Sequence, residues 1–149
     1  MSIMSTMRLE IVTAERVIYS EEVNILVAPG IDGELGILPH HAPLLTVLKP
    51  GEIRVVKDGE ETNISVGGGF LEVIGNKVTI LADTAEHAEE IDIQRSEEAL
   101  KRAQERVASV PSDADLERAL ATIRRSQARL KVAHRRRRRS EGRSGSPPG

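Results

Sequence analysis

The chain has 149 residues, no cysteine or tryptophan, one Phe and one Tyr, with 39% hydrophobic and 30% charged side chains. That composition fits one globular domain plus an appendage, excludes disulfides and thiolate metal sites, and removes the aromatic rings on which single-stranded nucleic acids stack. The formal charge of −2 hides a division: residues 1–90 carry 6 basic and 15 acidic side chains, residues 91–149 carry 15 and 8, so two modules with different partners are expected.

No stretch approaches the roughly 18 consecutive apolar residues of a membrane helix. The start, Met1 to Met7, has no basic region and no apolar run of signal-peptide length. The chain is therefore expected to stay in the compartment where it is made, with Met4 and Met7 as alternative starts.

From Met7 to Ala82 the apolar period is two. Met7, Leu9 and Ile11 alternate with Arg8, Glu10 and Val12; Val23, Ile25 and Val27 form a second row. Ile53 and Val55 flank Arg54, Ile64 and Val66 flank Ser65, and Val78 and Ile80 flank Thr79. Each reads as a short strand with one buried face. Pro29-Gly30, Asp32-Gly33, Pro50-Gly51, Asp58-Gly59 and Gly75-Asn76 supply the turns. Asp58-Gly59 and Gly75-Asn76 suit tight hairpins, which need positive φ. An antiparallel sandwich or barrel follows, and a parallel sheet is not expected because crossover helices are absent.

Near residue 91 the pattern changes. Asp92 to Ser109 is rich in helix formers, with Ile93, Leu100, Ala103 and Val107 as a sparse stripe and Asp92 as N-cap. Ser109-Val110-Pro111-Ser112 breaks the helix. Ser112 caps a second helix, with Asp113 and Asp115 in its first turn. Leu116, Leu120, Ile123 and Leu130 line one side, with Ala119 nearby. Two helices joined by a short loop make an αα-hairpin. Both stripes are thin and alanine-rich, so the hairpin should detach easily. Arg135 to Arg139 opens a basic tail whose end, Ser140 to Gly149, holds no apolar residue and reads as disordered.

The search for catalytic chemistry finds no phosphate loop, no nucleophile elbow and no defensible pair of carboxylates. Gly67-Gly68-Gly69 precedes a strand rather than a helix, so it reads as backbone that another segment approaches closely. His40 and His41 are adjacent, point opposite ways on extended chain and do not make a metal pair. The run Arg135–Arg139 suits either a nucleic-acid or anionic-membrane adaptor, or a solvated, acid-seeking helix end. The apolar loop around Ala42, Pro43, Leu44 and Leu45 either meets a partner or closes the end of the sandwich.

Three stretches carry a family resemblance: Gly33-Glu34-Leu35-Gly36-Ile37-Leu38-Pro39-His40-His41-Ala42-Pro43-Leu44, Gly68-Gly69-Phe70-Leu71-Glu72-Val73, and Val78-Thr79-Ile80-Leu81-Ala82. They closely resemble the epsilon subunits of bacterial-type proton-translocating ATP synthases, over about residues 7–134. The resemblance implies an all-β N-terminal sandwich of about ten strands in two sheets, followed by a C-terminal α-helical hairpin. The corresponding modules are 1–88, 89–134 and a basic disordered tail, 135–149. It implies a non-catalytic subunit at the foot of the central rotor stalk, holding the gamma subunit and sitting on the ring of c subunits. It also implies a peripheral place on the cytoplasmic face of a bacterial plasma membrane. His40, His41, Ala42, Pro43 and Leu44 are the candidate ring contact. The helices, when extended, would meet the alpha and beta catalytic subunits and inhibit ATP hydrolysis. No nucleic acid, no metal and no required cofactor are implied.

Some members of that family bind ATP as a regulatory ligand through an Ile/Leu-Asp-x-x-Arg-Ala motif plus further arginines. This chain reads Ile91-Asp92-Ile93-Gln94-Arg95-Ser96, with Ser where the motif has Ala. Arg102, Arg125, Arg129 and Glu86 match the remaining positions. Arg95 and Arg102 lie two helical turns apart, and Arg125 and Arg129 one turn apart. Folding the hairpin would converge guanidinium groups suited to phosphate oxygens, with Glu86 and Asp92 available to an adenine amino group or a ribose. The alternative is a solvated basic face paired with acids such as Glu97 and Glu98.

Overall fold

The structure, a computed structural model, describes residues 5–109 and 112–144, without the side chains of 139–144. The expected breaker at Val110-Pro111 and the last five residues of the tail lie outside the described residues. Eight strands come first: β1 (Met7–Val12), β2 (Val17–Val23), β3 (Ile25–Gly30), β4 (Gly33–Ile37), β5 (Leu44–Lys57), β6 (Glu60–Ile74), β7 (Lys77–Ala82) and β8 (Ala85–His87). A 3-10 turn, Ala88–Glu90, leads into helices α1 (Ile93–Val107) and α2 (Asp113–Ser144).

Alternation decides the core. Leu9, Ile11, Ile53, Val55, Ile64, Leu71 and Ile80 are fully buried, while their sequence neighbours face outward. All eight strands belong to one continuous sheet, in the order β2-β1-β7-β6-β5-β3-β4, with β8 against β6. The sheet folds over itself because β5 and β6 are long enough to serve both layers. Their far halves pair Leu44–Leu48 with Gly69–Val73, and their near halves pair Pro50–Lys57 with Glu60–Gly67. The bend falls at Pro50-Gly51 and Gly67-Gly68-Gly69. Counted layer by layer, two strands appear twice, which is how an expectation of about ten becomes eight. β1 and β7 run parallel, against the expectation of a purely antiparallel sheet. The intervening strands return the chain to the right end without a crossover helix.

Asp58 and Gly59 close the β5–β6 hairpin, and Gly75 and Asn76 the β6–β7 hairpin, all with positive φ as the dipeptides require. Asn76 does more than turn. Its Oδ1 accepts from the His40 backbone N–H at 2.8 Å, and its Nδ2 donates to the Thr6 carbonyl at 2.9 Å. The β4–β5 loop, the chain's start and the hairpin tip are thus tied at one end.

The helices pack antiparallel, with α2 lying across β5 and β6. Asp92 Oδ1 accepts from Arg95 N at 3.0 Å, and Ser112 Oγ from Asp115 N at 3.2 Å, so both expected caps are present. The α1 stripe is only half-buried, and the sole buried residue of α1 is Ser96. On α2, Ile123, Leu130, Val132 and Ala133 are buried. The tail expected to be disordered from Arg135 instead continues α2 to Ser144. Arginine is a good helix former, and a helix already nucleated adds residues at little cost.

Candidate functional site

The face of the sandwich beneath α2 is built from small and polar residues. β6 alternates Asn63, Ser65 and Gly67 outward, opposite Arg54, Glu52 and Pro50 of β5. Burial here is continuous rather than alternating, because α2 covers the outer side. A Cβ on Gly67 would stand 2.1 Å from Thr84 Oγ1 and 3.0 Å from Arg125 Cδ. The close approach expected of this glycine run is therefore real, and one of the approaching groups is an arginine of α2. On Gly69 a Cβ would meet the Leu81 carbonyl oxygen at 2.2 Å.

Arg129 is the centre of the helix–sandwich contact. Its Nε and Nη2 donate to the two carboxylate oxygens of Glu86, the latter at 3.0 Å, and its Nη1 donates to Ser96 Oγ at 2.7 Å. One guanidinium thus joins β8, α1 and α2. A planar fork suits this bidentate geometry, which an ammonium group would not reproduce. Burial lowers the Arg129 pKa from its ordinary value, and an arginine so placed is still a cation near neutrality. Ser96, the departure from the family motif, is 5% exposed and uses its hydroxyl on Arg129.

Two clefts of about 340 Å³ flank Arg129. One is lined by Arg16, Ser65, Thr84, Glu86, Arg125 and Ser126. The other is lined by Glu90, Asp92, Arg95, Ser96 and Arg102. The structure therefore divides these residues between two clefts that share Arg129: Glu86 and Arg125 line one, Asp92, Arg95 and Arg102 the other. Ile91 lines neither cleft and is buried instead. Arg16, Thr84 and Ser126 carry no sequence signal, since they come from unrelated turns and helix positions that only the fold joins. Glu97, expected to meet an arginine, faces His134 at 3.0 Å.

The other candidate region is the opposite end. His40 has φ 64° and is exposed, as are Ala42 and Pro43, whereas Leu44 packs against the core. The loop splits between the two readings: Leu44 closes the sandwich, and Ala42 and Pro43 face outward with Leu38 and Leu45. A second apolar surface crosses three strands in register, Val47 beside Phe70 beside Leu81. Phe70, the only Phe, is 53% exposed there.

The remaining histidines are structural in setting. His87 Nε2 lies 3.0 Å from the Ile18 carbonyl oxygen. Among the described residues no group of three or more His, Asp or Glu is placed to hold a metal, and no helix is long and apolar enough to cross a membrane. The arginine run on which an adaptor reading rests turns Arg135 to Glu52 and Arg136 to Glu89, acids of this same chain.

Comparison with known proteins agrees with this architecture. The family model for the ATP synthase delta/epsilon chain beta-sandwich domain matches residues 6–88, and that for its long alpha-helix domain matches residues 89–134. An ATP synthase epsilon chain of Herpetosiphon aurantiacus is 53% identical over 132 residues, 89% of this chain and 97% of that one. One from Desulforamulus reducens is 48% identical over 128 residues, 86% and 97% of the two chains. Among solved structures, a chain of the Euglena gracilis mitochondrial ATP synthase shares the fold with a TM-score of 0.68 at 24% identity, covering 89% of this chain and 80% of that one. With a sealed sandwich, a docked helical pair and both domain models matched in order, this chain belongs to the ATP synthase epsilon chain family.

Proposed function

We propose that this chain is a non-catalytic regulatory subunit in the central rotor stalk of a proton-transporting ATP synthase, peripheral to the membrane. The sandwich is the permanent coupling part and the helical pair the movable brake. The observation that carries this reading is the unequal attachment of the two modules. The sandwich seals its own core, whereas the helices rest on it through four buried apolar side chains of α2 and a set of ion pairs.

The partner surfaces follow from what the sandwich leaves apolar. The Val47–Phe70–Leu81 strip suits a helical partner such as the gamma subunit. The Leu38, Ala42 and Pro43 loop suits the c-subunit ring. The clefts flanking Arg129 suit ATP: Arg95, Arg102 and Arg125 supply cations for phosphate oxygens, and Asp92 can accept from a ribose or an adenine amino group. A ligand that binds only the docked state favours it by its differential affinity, about 2.7 kcal/mol at 100 times its Kd. Detached and extended, α2 would present Arg118, Arg124, Arg125, Arg129 and Lys131 to the alpha and beta subunits and resist rotation.

Truncation after Glu90 tests the reading. The truncated chain should still assemble with gamma and the c ring and still couple proton flow, while the complex hydrolyses ATP faster. Equal hydrolysis rates for truncated and full-length complexes, at low nucleotide and low salt, would remove the brake. Calorimetry on Arg95→Ala, with ATP bound as tightly as by the unsubstituted chain, would remove the nucleotide site.

A further inference from the structure

Of the two clefts that flank Arg129, one takes no residue from the Ile91–Ser96 motif. It measures about 340 Å³ and has two walls. The sandwich supplies Arg16, Ser65 and Thr84, and α2 supplies Arg125 and Ser126. The sandwich wall is fixed locally. Thr13 Oγ1 accepts from Glu15 N and Arg16 N, each at 3.3 Å, and so sets where Arg16 leaves the β1–β2 turn. The Thr84 carbonyl accepts from Gly67 N at 2.9 Å, and the Thr84 hydroxyl stands where a Gly67 side chain would be. The Arg125 stem passes over the same glycine.

None of the three hydroxyls lining this cleft, those of Ser65, Thr84 and Ser126, hydrogen-bonds to another described residue. Ser65 is the most telling. It is only 5% exposed and sits in strand register between Glu52 and Glu86. A hydroxyl at that depth without a partner is unfavourable. It is not sealed off, because it opens onto the cleft.

Charge decides what would satisfy it. Glu52 and Glu86 are each held by an arginine of α2, Arg135 and Arg129. Arg125 meets no carboxylate among the described residues; its Nη2 donates to Thr122 Oγ1 at 3.2 Å, which leaves most of its N–H donors for a ligand. Arg16 touches Glu90 at 3.4 Å, an exposed pair of little consequence. Guanidinium forks and hydroxyls arriving from opposite walls suit a small oxyanion whose oxygens point in several directions. Glu86 selects among such ions. Arg129 occupies one lone pair on each of its oxygens, and a carboxylate keeps further lone pairs. An oxyanion that carries its own proton can donate to them.

We propose that this cleft is a binding site for inorganic phosphate, built jointly by the sandwich and α2 and separate from the cleft of Arg95 and Arg102. Arg16 and Arg125 balance the ion's charge, the three hydroxyls donate to its oxygens, and Glu86 accepts from its P–O–H. Arg125 and Ser126 leave with α2, so phosphate favours the docked helical pair by the affinity it loses on detachment. Arg125 is also among the cations that suit ATP, so the test separates the free ion from a nucleotide's own phosphates.

Calorimetry on the full chain, with sodium phosphate replacing sodium chloride at constant ionic strength and neutral pH, reads the affinity. Amide shifts in heteronuclear NMR place the ion, and they should centre on Ser65, Gly67, Thr84 and Ser126. Arg16→Gln, at a half-exposed side chain, should weaken phosphate about tenfold, and Ser65→Ala by about the same factor. Sulfate has no proton for Glu86 and should bind at least about tenfold more weakly than phosphate. ATP affinity should change less than about twofold in both variants. Absence of phosphate-induced shifts at these amides would overturn the site, as would unchanged phosphate affinity in both variants. Sulfate bound as tightly as phosphate would make the cleft an unselective basic patch and overturn the assignment. Variants that weaken ATP as much as phosphate would give the cleft to the nucleotide, with the same consequence. A chain that binds phosphate but not ATP would remove the nucleotide site and keep this one.

Discussion

The two halves of this chain are held by different physics. In the sandwich, strands from both layers direct Leu9, Ile11, Ile53, Ile64, Leu71 and Ile80 into a core with no exposure, and burial of that kind stabilises by apolar area removed from water. In the helical pair, α1 buries one serine and no apolar side chain, and α2 buries four apolar residues along about 48 Å of helix. Beside half-buried apolar side chains such as Leu100 and Leu120, the contacts are polar: Arg129 on Glu86 and Ser96, Arg135 on Glu52, His134 on Glu97. A hydrophobic core resists partial opening, because water enters all of it or none. An interface of directed polar contacts exchanges them for water one at a time. The charge division between residues 1–90 and 91–149 is the sequence form of the same contrast, since the acidic sandwich supplies Glu52, Glu86 and Glu89 to the basic helix.

The contrast breaks most visibly through the core. Ile80→Ala opens a cavity at a fully buried site and should cost about 2–5 kcal/mol. Chemical denaturation should show this loss in the sandwich transition. Next comes Glu86→Ala, which strands the half-buried Arg129 guanidinium. It should favour detachment by about 2 kcal/mol, seen as faster proteolysis within α1 and α2, with the sandwich transition unmoved.

Ser96→Ala restores the family's residue and removes one acceptor from Arg129. It should weaken docking by about 1 kcal/mol while freeing Arg129 for an incoming phosphate. Calorimetry with ATP should then show tighter binding than in the unsubstituted chain. The smallest effect is one of pH. Burial, and the hydrogen bond with Glu21, raise the Tyr19 pKa above its ordinary 10.0. The fold thus prefers the protonated phenol. Its contribution is complete below pH 10 and fades as pH rises through the folded value. Tyr19→Phe should flatten the loss of sandwich stability above pH 10 and change little at neutrality. Glu21 is shifted the opposite way, by the hydrogen bond with Tyr19 and then by Lys57. Its contribution is present above the ordinary carboxylate range and fades in acid.

Local rules made much of this readable in advance. Period-two alternation located the buried rows, Asp58-Gly59 and Gly75-Asn76 the hairpins, Asp92 and Ser112 the helix starts. The glycine run announced a close approach, but not that Arg125 would be among the groups approaching. The parallel pairing of β1 with β7 was invisible, because no local pattern records which edge a first strand will occupy. The helical course of 135–144 was missed because absence of apolar residues argues against a core, not against extending a helix already formed. At the site, the resemblance marked Glu86, Asp92, Arg95, Arg102, Arg125 and Arg129, and the fold sets them in two clefts that share Arg129. Spacing alone would have linked only pairs within a helix. Glu52 and Arg135 are 83 residues apart, and their meeting depends on how far α2 runs across β5.

The central claim is that the sandwich and the helical pair are separable units of unequal stability. Native-state hydrogen exchange on the full chain tests it most directly. Helices in proteins draw most of their stability from packing rather than from propensity, and these two pack through few buried side chains. Amides of α1 and α2 should therefore exchange through an opening several kcal/mol cheaper than the one that releases β1, β6 and β7. Truncation after Glu90 should leave the protection of those strands unchanged. A single common opening energy for strands and helices, or loss of strand protection on truncation, would show one cooperative unit and contradict the account.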